Sequence, residues 1–223
     1  MNYRLERVDF PTGTVQVTLD ENKVPSYNIM EGVAWDNIPM TPELEALARD
    51  CRAVCFGSLA QRSAVSRATI NAFIDMMPED SLKIFDINLR QHYYTEEIIC
   101  DSMKKADILK INDEEILVVA QLLDVTEKSE REICKVLLDK FDLRMVILTC
   151  GDRGSYVLTR DESSWVDTPK VSVVSTVGAG DSFTGTFIAS ILLGKTLRQA
   201  HEAAVKVSAY VCTCQGAMPA IPK

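Results

Sequence analysis

Chemistry in this chain concentrates in one short run, Ser175-Thr176-Val177-Gly178-Ala179-Gly180-Asp181-Ser182-Phe183. The β-branched residues at 171–174 predict a strand that ends at Ser175. A turn of small residues follows, and Asp181 opens an apolar helical stretch over 183–193. Free backbone N–H groups at such a helix start carry the positive end of its dipole, so Gly178, Ala179 and Gly180 are suited to holding an anion. An aspartate in that cradle repels a resting phosphate. A carboxylate placed there is explained if it takes a proton from a hydroxyl that attacks the phosphate.

Three more polar clusters follow predicted strands. In Asp86-Ile87-Asn88-Leu89-Arg90, alternation puts Asp86, Asn88 and Arg90 on one side of an extended segment. A carboxylate, an amide and a guanidinium on one edge suit a hydroxyl-rich, phosphorylated ligand; a strand-end salt bridge with a turn-forming Asn is the alternative. In Asn112-Asp113-Glu114-Glu115, the spacing of Asn112 and Glu115 is that of a capping box, and it equally suits a water-mediated Mg²⁺ site. Thr149-Cys150-Gly151-Asp152-Arg153-Gly154 runs from a strand into a turn. It reads either as an ordinary hairpin connection or as a surface for the phosphates and sugar of ATP.

The elements that position these clusters alternate. An antiparallel pair is predicted over 15–19 and 26–29, joined by a turn at 20–23. Then come helix 42–50, strand 53–57, helix 63–77, strand 82–87, helix 95–105 and strand 107–111. Helices near 113–123 and 129–141 lead to strand 145–149 and a hairpin-like stretch over 154–174. Helices near 180–193 and 197–213 close the chain. This order implies an α/β fold, a mainly parallel sheet with helices on both faces, whose ligands sit beyond the carboxyl ends of the strands.

The 223 residues, 47% of them apolar, suffice for a single domain with a large core. The net charge of −8 and the lack of any basic run give no reason to expect nucleic acid or an anionic membrane as partner. Phosphates are then to be bound locally, by backbone N–H groups, one or two cations and a metal. The cysteines, at 51, 55, 100, 134, 150, 212 and 214, form no CxxC and are expected to be reduced core residues. With no apolar run long enough to span a bilayer and no signal-peptide pattern, the expected location is the cytoplasm. His92, His201, Trp35 and Trp165 read as incidental or packing residues.

Taken in order, the four clusters resemble those of the ribokinase-like (PfkB-type) sugar kinases, with bacterial fructokinases the nearest in flavour. Pro11-Thr12-Gly13-Thr14-Val15 and Gly216-Ala217-Met218-Pro219 add to the likeness. The resemblance implies a ribokinase-like kinase domain over 1–223, with 1–40 near the sugar and lid side and 41–223 carrying nucleotide binding and catalysis. It implies transfer of the γ-phosphoryl of ATP to a primary hydroxyl of a fructose-like sugar. Asp181 is then the general base, and the N–H groups of Gly178, Ala179, Gly180 and Asp181 the anion hole. Arg90 would bridge substrate and phosphate, with Asp86 and Asn88 beside it. Asn112 and Glu115 would organise Mg²⁺ through water, and Thr149, Gly151 and Gly154 would line the nucleotide site. Other readings remain open: a catalytically weak nucleotide-binding or interaction fragment, or a kinase for a nucleoside or a keto-deoxy sugar acid.

Three departures from the family pattern carry expectations. Ser175 stands where an aspartate usually helps hold a monovalent cation, so K⁺ activation is expected to be weakened. Thr186 replaces a small residue. Members of the family begin well upstream of their Pro-Thr-Gly-Thr-Val strand. The chain is therefore expected to be N-terminally truncated, with weak sugar affinity, an unpaired sheet edge and a tendency to form homo-oligomers.

Overall fold

The computed structural model describes residues 5–19, 21 and 25–221. A small antiparallel pair, β1 (Val15–Leu19) and β2 (Pro25–Ile29), precedes the main body; most of the turn expected over 20–23 lies outside the described residues. The main sheet has six strands: β3 (Ala53–Phe56), β4 (Leu82–Asp86), β5 (Ile108–Asn112), β6 (Met145–Thr149), β7 (Ser155–Leu158) and β8 (Ser163–Val166). They lie side by side in chain order. The first four run parallel, and the β7–β8 hairpin adds antiparallel to β6.

Helices alternate with these strands: α1 (Pro42–Asp50), α2 (Ala64–Met76), α3 (Glu96–Lys105), α4 (Asp113–Leu122), α5 (Glu130–Lys140), α6 (Ala179–Leu192) and α7 (Leu197–Cys212). Their starts are written locally. Thr41, Thr95, Ser129 and Thr196 each accept a backbone N–H of the following first turn, and Pro42 opens α1 where a missing N–H costs nothing.

Period-two alternation along the central strands sorts the core into two layers. Phe85, Leu109, Val146 and Leu148 face one way and pack with residues of α3, α4 and α5, among them Ile99, Met103, Ile116, Val119, Ile133 and Leu137. Ile84, Ile108, Met145 and Ile147 face the other way, against Phe183 and Phe187 of α6 and Ala200, Ala204 and Val205 of α7. Both faces are covered, as near-continuous apolar strands require.

Arg62 ties the small antiparallel pair to the body. Its guanidinium lies between the rings of Trp35 and Tyr93, 4.2 and 4.4 Å from their centroids. It pairs bidentately with Asp36 at 2.8 and 2.9 Å and donates to the Met30 carbonyl. Tyr93 Oη donates to the Ile29 carbonyl at 3.2 Å. Trp35 is thus a packing residue, as expected.

Two expectations are corrected. The residues 171–174 form no strand: β8 ends the sheet before them, and they cross α7 as an exposed, irregular segment. There the Val174 and Ser175 N–H groups donate to the Cys212 carbonyl, at 2.8 and 3.3 Å. Nor are all the cysteines in the core. All seven are free thiols, but only Cys134 and Cys150 are buried, and Cys55 is exposed on β3, whose outer edge has no strand partner among the described residues. No helix among the described residues is long and apolar enough to cross a membrane.

Candidate active site

Helix α6 begins at Ala179, one residue before the expected start near 180, capped by Gly178 in the left-handed region at φ 84°. Glycine is required there twice over. A side chain would be strained, and a Cβ would collide with the Ala217 carbonyl, which packs directly on the turn. Ala179 N–H donates to the Thr176 carbonyl at 3.2 Å, so it is engaged rather than free as expected. The N–H groups of Gly178, Gly180 and Asp181 find no acceptor among the described residues. Asp181 follows at once, exposed, in the first helical turn.

The Asp86 segment departs from the expected single edge. Asn88 takes φ 45°, which breaks the alternation. Asp86 turns inward onto the α6 face of the sheet and is buried. It pairs with Lys110, its register partner on β5, at 3.0 Å. Thr184 Oγ1 of α6 lies 2.9 Å from the other Asp86 oxygen and 3.0 Å from the Gly180 carbonyl. The salt-bridge alternative therefore describes Asp86. Asn88 and Arg90 remain exposed, and Arg90 Nη1 donates to the Leu89 carbonyl at 2.9 Å. Charge joins this cluster to the α6 start. The Cys55 thiol, on β3, is pushed up to about 12, first by the protein packed around it and next by the Asp86 carboxylate; Asp181 adds to the rise and Lys110 opposes it. Part of Cys55 still reaches solvent along the open strand edge.

Asn112 caps α4. Its Oδ1 accepts the N–H groups of Glu114 and Glu115 at 3.0 and 2.7 Å, and Glu115 Oε2 accepts the Asn112 N–H at 3.1 Å. Glu115 Oε1 accepts the Leu89 N–H at 2.9 Å. The box is complete, and each carboxylate oxygen keeps a lone pair. Among the described residues no three metal-ligating side chains converge. Such a donor set fits a Mg²⁺ ion held through its own waters rather than a direct cage.

Beside the α6 start lies a cavity of about 680 Å³. Asn112, Thr149, Gly151, Gly154, Ala179 and Gly180 all line it, so three of the four sequence clusters meet there. Glu115, Asp181, Asp86, Asn88, Arg90 and Ser175 do not line it. Ser175 Oγ instead accepts the Val177 N–H at 3.2 Å, holding the approach to the turn. Gly154, at φ 145°, lets the backbone pass under the Trp165 ring, which would strike a Cβ.

Other lining residues went unmarked in the sequence. Val205, Ser208, Ala209 and Cys212 of α7 form one wall. Their spacing of three, four and seven is the helical stripe that could have marked them. Ser155 forms part of the floor, and its hydroxyl lies 2.7 Å from Nε2 of the fully buried His201. His201 Nδ1 lies 2.9 Å from the Ser164 hydroxyl, so this histidine holds the β7–β8 hairpin to α7 and is far from incidental. Burial first, then Arg198, pushes His201 down to about 4, so it is neutral at pH 7.

The family described as pfkB family carbohydrate kinase matches residues 3–223. The chain is 29% identical to the ATP-dependent 6-phosphofructokinase of Thermoanaerobacterium thermosaccharolyticum, over 98% of this chain and 67% of that protein. It is 27% identical to fructokinase-2 of Zea mays, over 95% of this chain and 66% of that protein. Among solved structures it is similar to the sugar kinase PH1459 of Pyrococcus horikoshii in complex with ATP. The TM-score is 0.76 at 26% identity, over 95% of this chain and 68% of that one. Similarity to the ribokinase of Thermotoga maritima, with TM-score 0.74 at 22% identity over 95% of this chain and 67% of that one, shows the same ribokinase-like α/β fold. The chain spans about two thirds of the length of these relatives. With the glycine turn, its aspartate and the lined cavity in place, the chain belongs to the pfkB family of carbohydrate kinases.

Proposed function

We propose that this chain carries the nucleotide-binding and phosphoryl-transfer part of an ATP-dependent sugar kinase, acting on a primary hydroxyl of a fructose-like sugar. One observation carries the reading: Gly180, with its N–H free, lines the 680 Å³ cavity at the start of α6, and the exposed Asp181 carboxylate follows it in the chain. A phosphoryl group leaving ATP would meet fixed N–H dipoles, while Asp181 takes the proton of the attacking hydroxyl. Phosphoryl transfer needs such positioning and charge neutralisation more than covalent chemistry.

The other roles belong to the same reading. Thr149, Gly151 and Gly154 line the nucleotide side, and the apolar wall from α7 suits a base. Mg²⁺, when bound, neutralises phosphate charge; Asn112 and Glu115 would hold its waters. Arg90, exposed on the loop after β4, is free to reach a phosphorylated ligand. The small antiparallel pair within 1–40 belongs on the sugar side, and 41–223 on the nucleotide side. Ser175 offers a hydroxyl without charge, so K⁺ activation is weak in this reading.

The test is sugar-dependent release of ADP, with fructose first in the panel and a nucleoside and a keto-deoxy sugar acid alongside. Asp181→Asn should lower turnover by about 10²–10⁴-fold, the usual cost of losing a general base. Turnover unchanged in that variant removes Asp181 from the chemistry. ATP binding with no sugar-dependent turnover in the parent chain supports a nucleotide-binding module instead.

A further inference from the structure

We propose that Lys110 is part of the anion hole and binds the transferring phosphoryl group; this rests on the kinase reading above. Lysine in mid-strand on a sheet covered on both faces is unusual, because a buried ammonium is costly unless it is paired. Lys110 is paired with Asp86 at 3.0 Å, and both side chains are only 10% exposed. That bond uses one of its three N–H donors. The other two have no acceptor among the described residues, which leaves a desolvated cation with free donors.

Position gives those donors a use. Alternation places Lys110 on the same face of β5 as Ile108, toward α6. Its Nζ reaches the first turn of that helix: a Cβ built on Gly180 would lie 3.2 Å from it. Gly180 is one of the residues whose N–H is free, and it lines the cavity. A point charge therefore stands against the N–H cradle. Asp86 holds the ammonium in place, and Thr184 holds Asp86 to α6. Asp86 is thereby a positioning residue, acting through Lys110. The glycine at 180 then has a second purpose, since a methyl there would crowd the ammonium.

In the reaction no bond to Lys110 forms or breaks. The γ-phosphoryl leaves the β-phosphate oxygen of ATP and joins the sugar oxygen, whose proton goes to Asp181. Lys110 donates to a non-bridging oxygen during the transfer. Such a contact strengthens as the phosphoryl loosens from ADP, so it acts chiefly on the transition state.

The experiment compares parent chain, Lys110→Met and the double variant D86N/K110M for binding of Mg·ADP alone and of Mg·ADP with aluminium fluoride and fructose. The double variant leaves no unpaired buried carboxylate and keeps the test available if the single variant fails to fold. Loss of one charge-assisted contact should weaken the aluminium fluoride complex about 10- to 100-fold. Mg·ADP affinity should stay within about twofold, since only the transferring group is touched. The turnover number should fall with the aluminium fluoride affinity while the KM for ATP changes little. A variant that binds the aluminium fluoride complex as tightly as the parent overturns the role of Lys110 alone. A variant that weakens both complexes equally does so too, because it points to a structural ion pair. A parent chain that binds neither complex overturns the kinase reading, and this inference with it.

Discussion

Glu115 accepts the backbone N–H of Leu89 at 2.9 Å across 26 residues of chain. Two of the sequence clusters are thereby one unit: the cap of α4 holds the loop that follows β4. With its second oxygen on the Asn112 N–H, the buried carboxylate satisfies donors on two elements. In Glu115→Gln one of these acceptors becomes an NH₂ donor. The substitution should lower unfolding stability by about 1–3 kcal/mol, the cost of an orphaned polar group. Urea unfolding without nucleotide or Mg²⁺ measures it. If stability is unaltered there, the carboxylate serves the metal alone.

Gly178→Ala meets both the left-handed backbone and the Ala217 carbonyl. The backbone strain alone should cost about 1–3 kcal/mol. Relief of the clash must shift the turn, and ATP affinity should fall at least about tenfold for loss of the aligned N–H donors. Thermal melting and nucleotide titration together check this, and a variant matching the parent in both would contradict it.

His201 links stability to pH. Burial pushes its pKa down to about 4 in the fold, whereas a free imidazole titrates near 6.5. Between these values the unfolded chain binds the extra proton, so stability rises with pH across that window. Its contribution is complete above about 6.5 and is lost as pH falls toward about 4, up to about 3 kcal/mol. Unfolding of the parent and His201→Phe from pH 4 to 7 should show a steeper slope for the parent. Parallel slopes would exclude His201 as the source. The variant should also be weaker at pH 7, because the Ser155 and Ser164 hydroxyls lose their partner.

Arg62 and Asp36 form a second buried ion pair, with side chains 7% and 6% exposed. Burial by itself would raise Asp36, but the hydrogen bonds and charge of Arg62 and the Val33 N–H outweigh it and hold the carboxyl below its usual value. That part of the stability is present above pH 3.8 and fades as pH falls further. Arg62→Met should cost about 3–5 kcal/mol by stranding Asp36, and R62M/D36N should recover much of it. Denaturant midpoints decide; equal losses in the two variants would mean that packing between the Trp35 and Tyr93 rings, not charge, is what counts.

Most of the fold was legible because its signals are local. Alternating apolar strands, Thr and Ser caps, and Pro42 at the start of α1 each act within a few residues. What failed depended on contacts distant in sequence. The residues at 171–174 have strand composition, but β8 had already closed the sheet, and the Cys212 carbonyl took their N–H groups instead. For Asp86 the sequence offers both a ligand role and a strand-end salt bridge, and nothing nearby in the chain chooses between them. The partner that turns it inward, Lys110, lies on another strand at a position where apolar residues surround it. His201 resembled a surface histidine among Ala, Glu and Lys, since nothing nearby in sequence announces Ser155 and Ser164. The glycine turn was readable as an anion cradle, but not that Thr176 would claim the Ala179 N–H.

The closeness of Gly178 and the Ala217 carbonyl bears on how this enzyme could be diversified. A library that randomises position 178 alone would return glycine, whatever selection is applied. Only joint variation with the stretch around position 217 opens new turn geometries. The two segments, distant along the gene, therefore constitute a single unit for recombination, and a crossover that splits them between unlike parents would wreck the cradle even if each half folded.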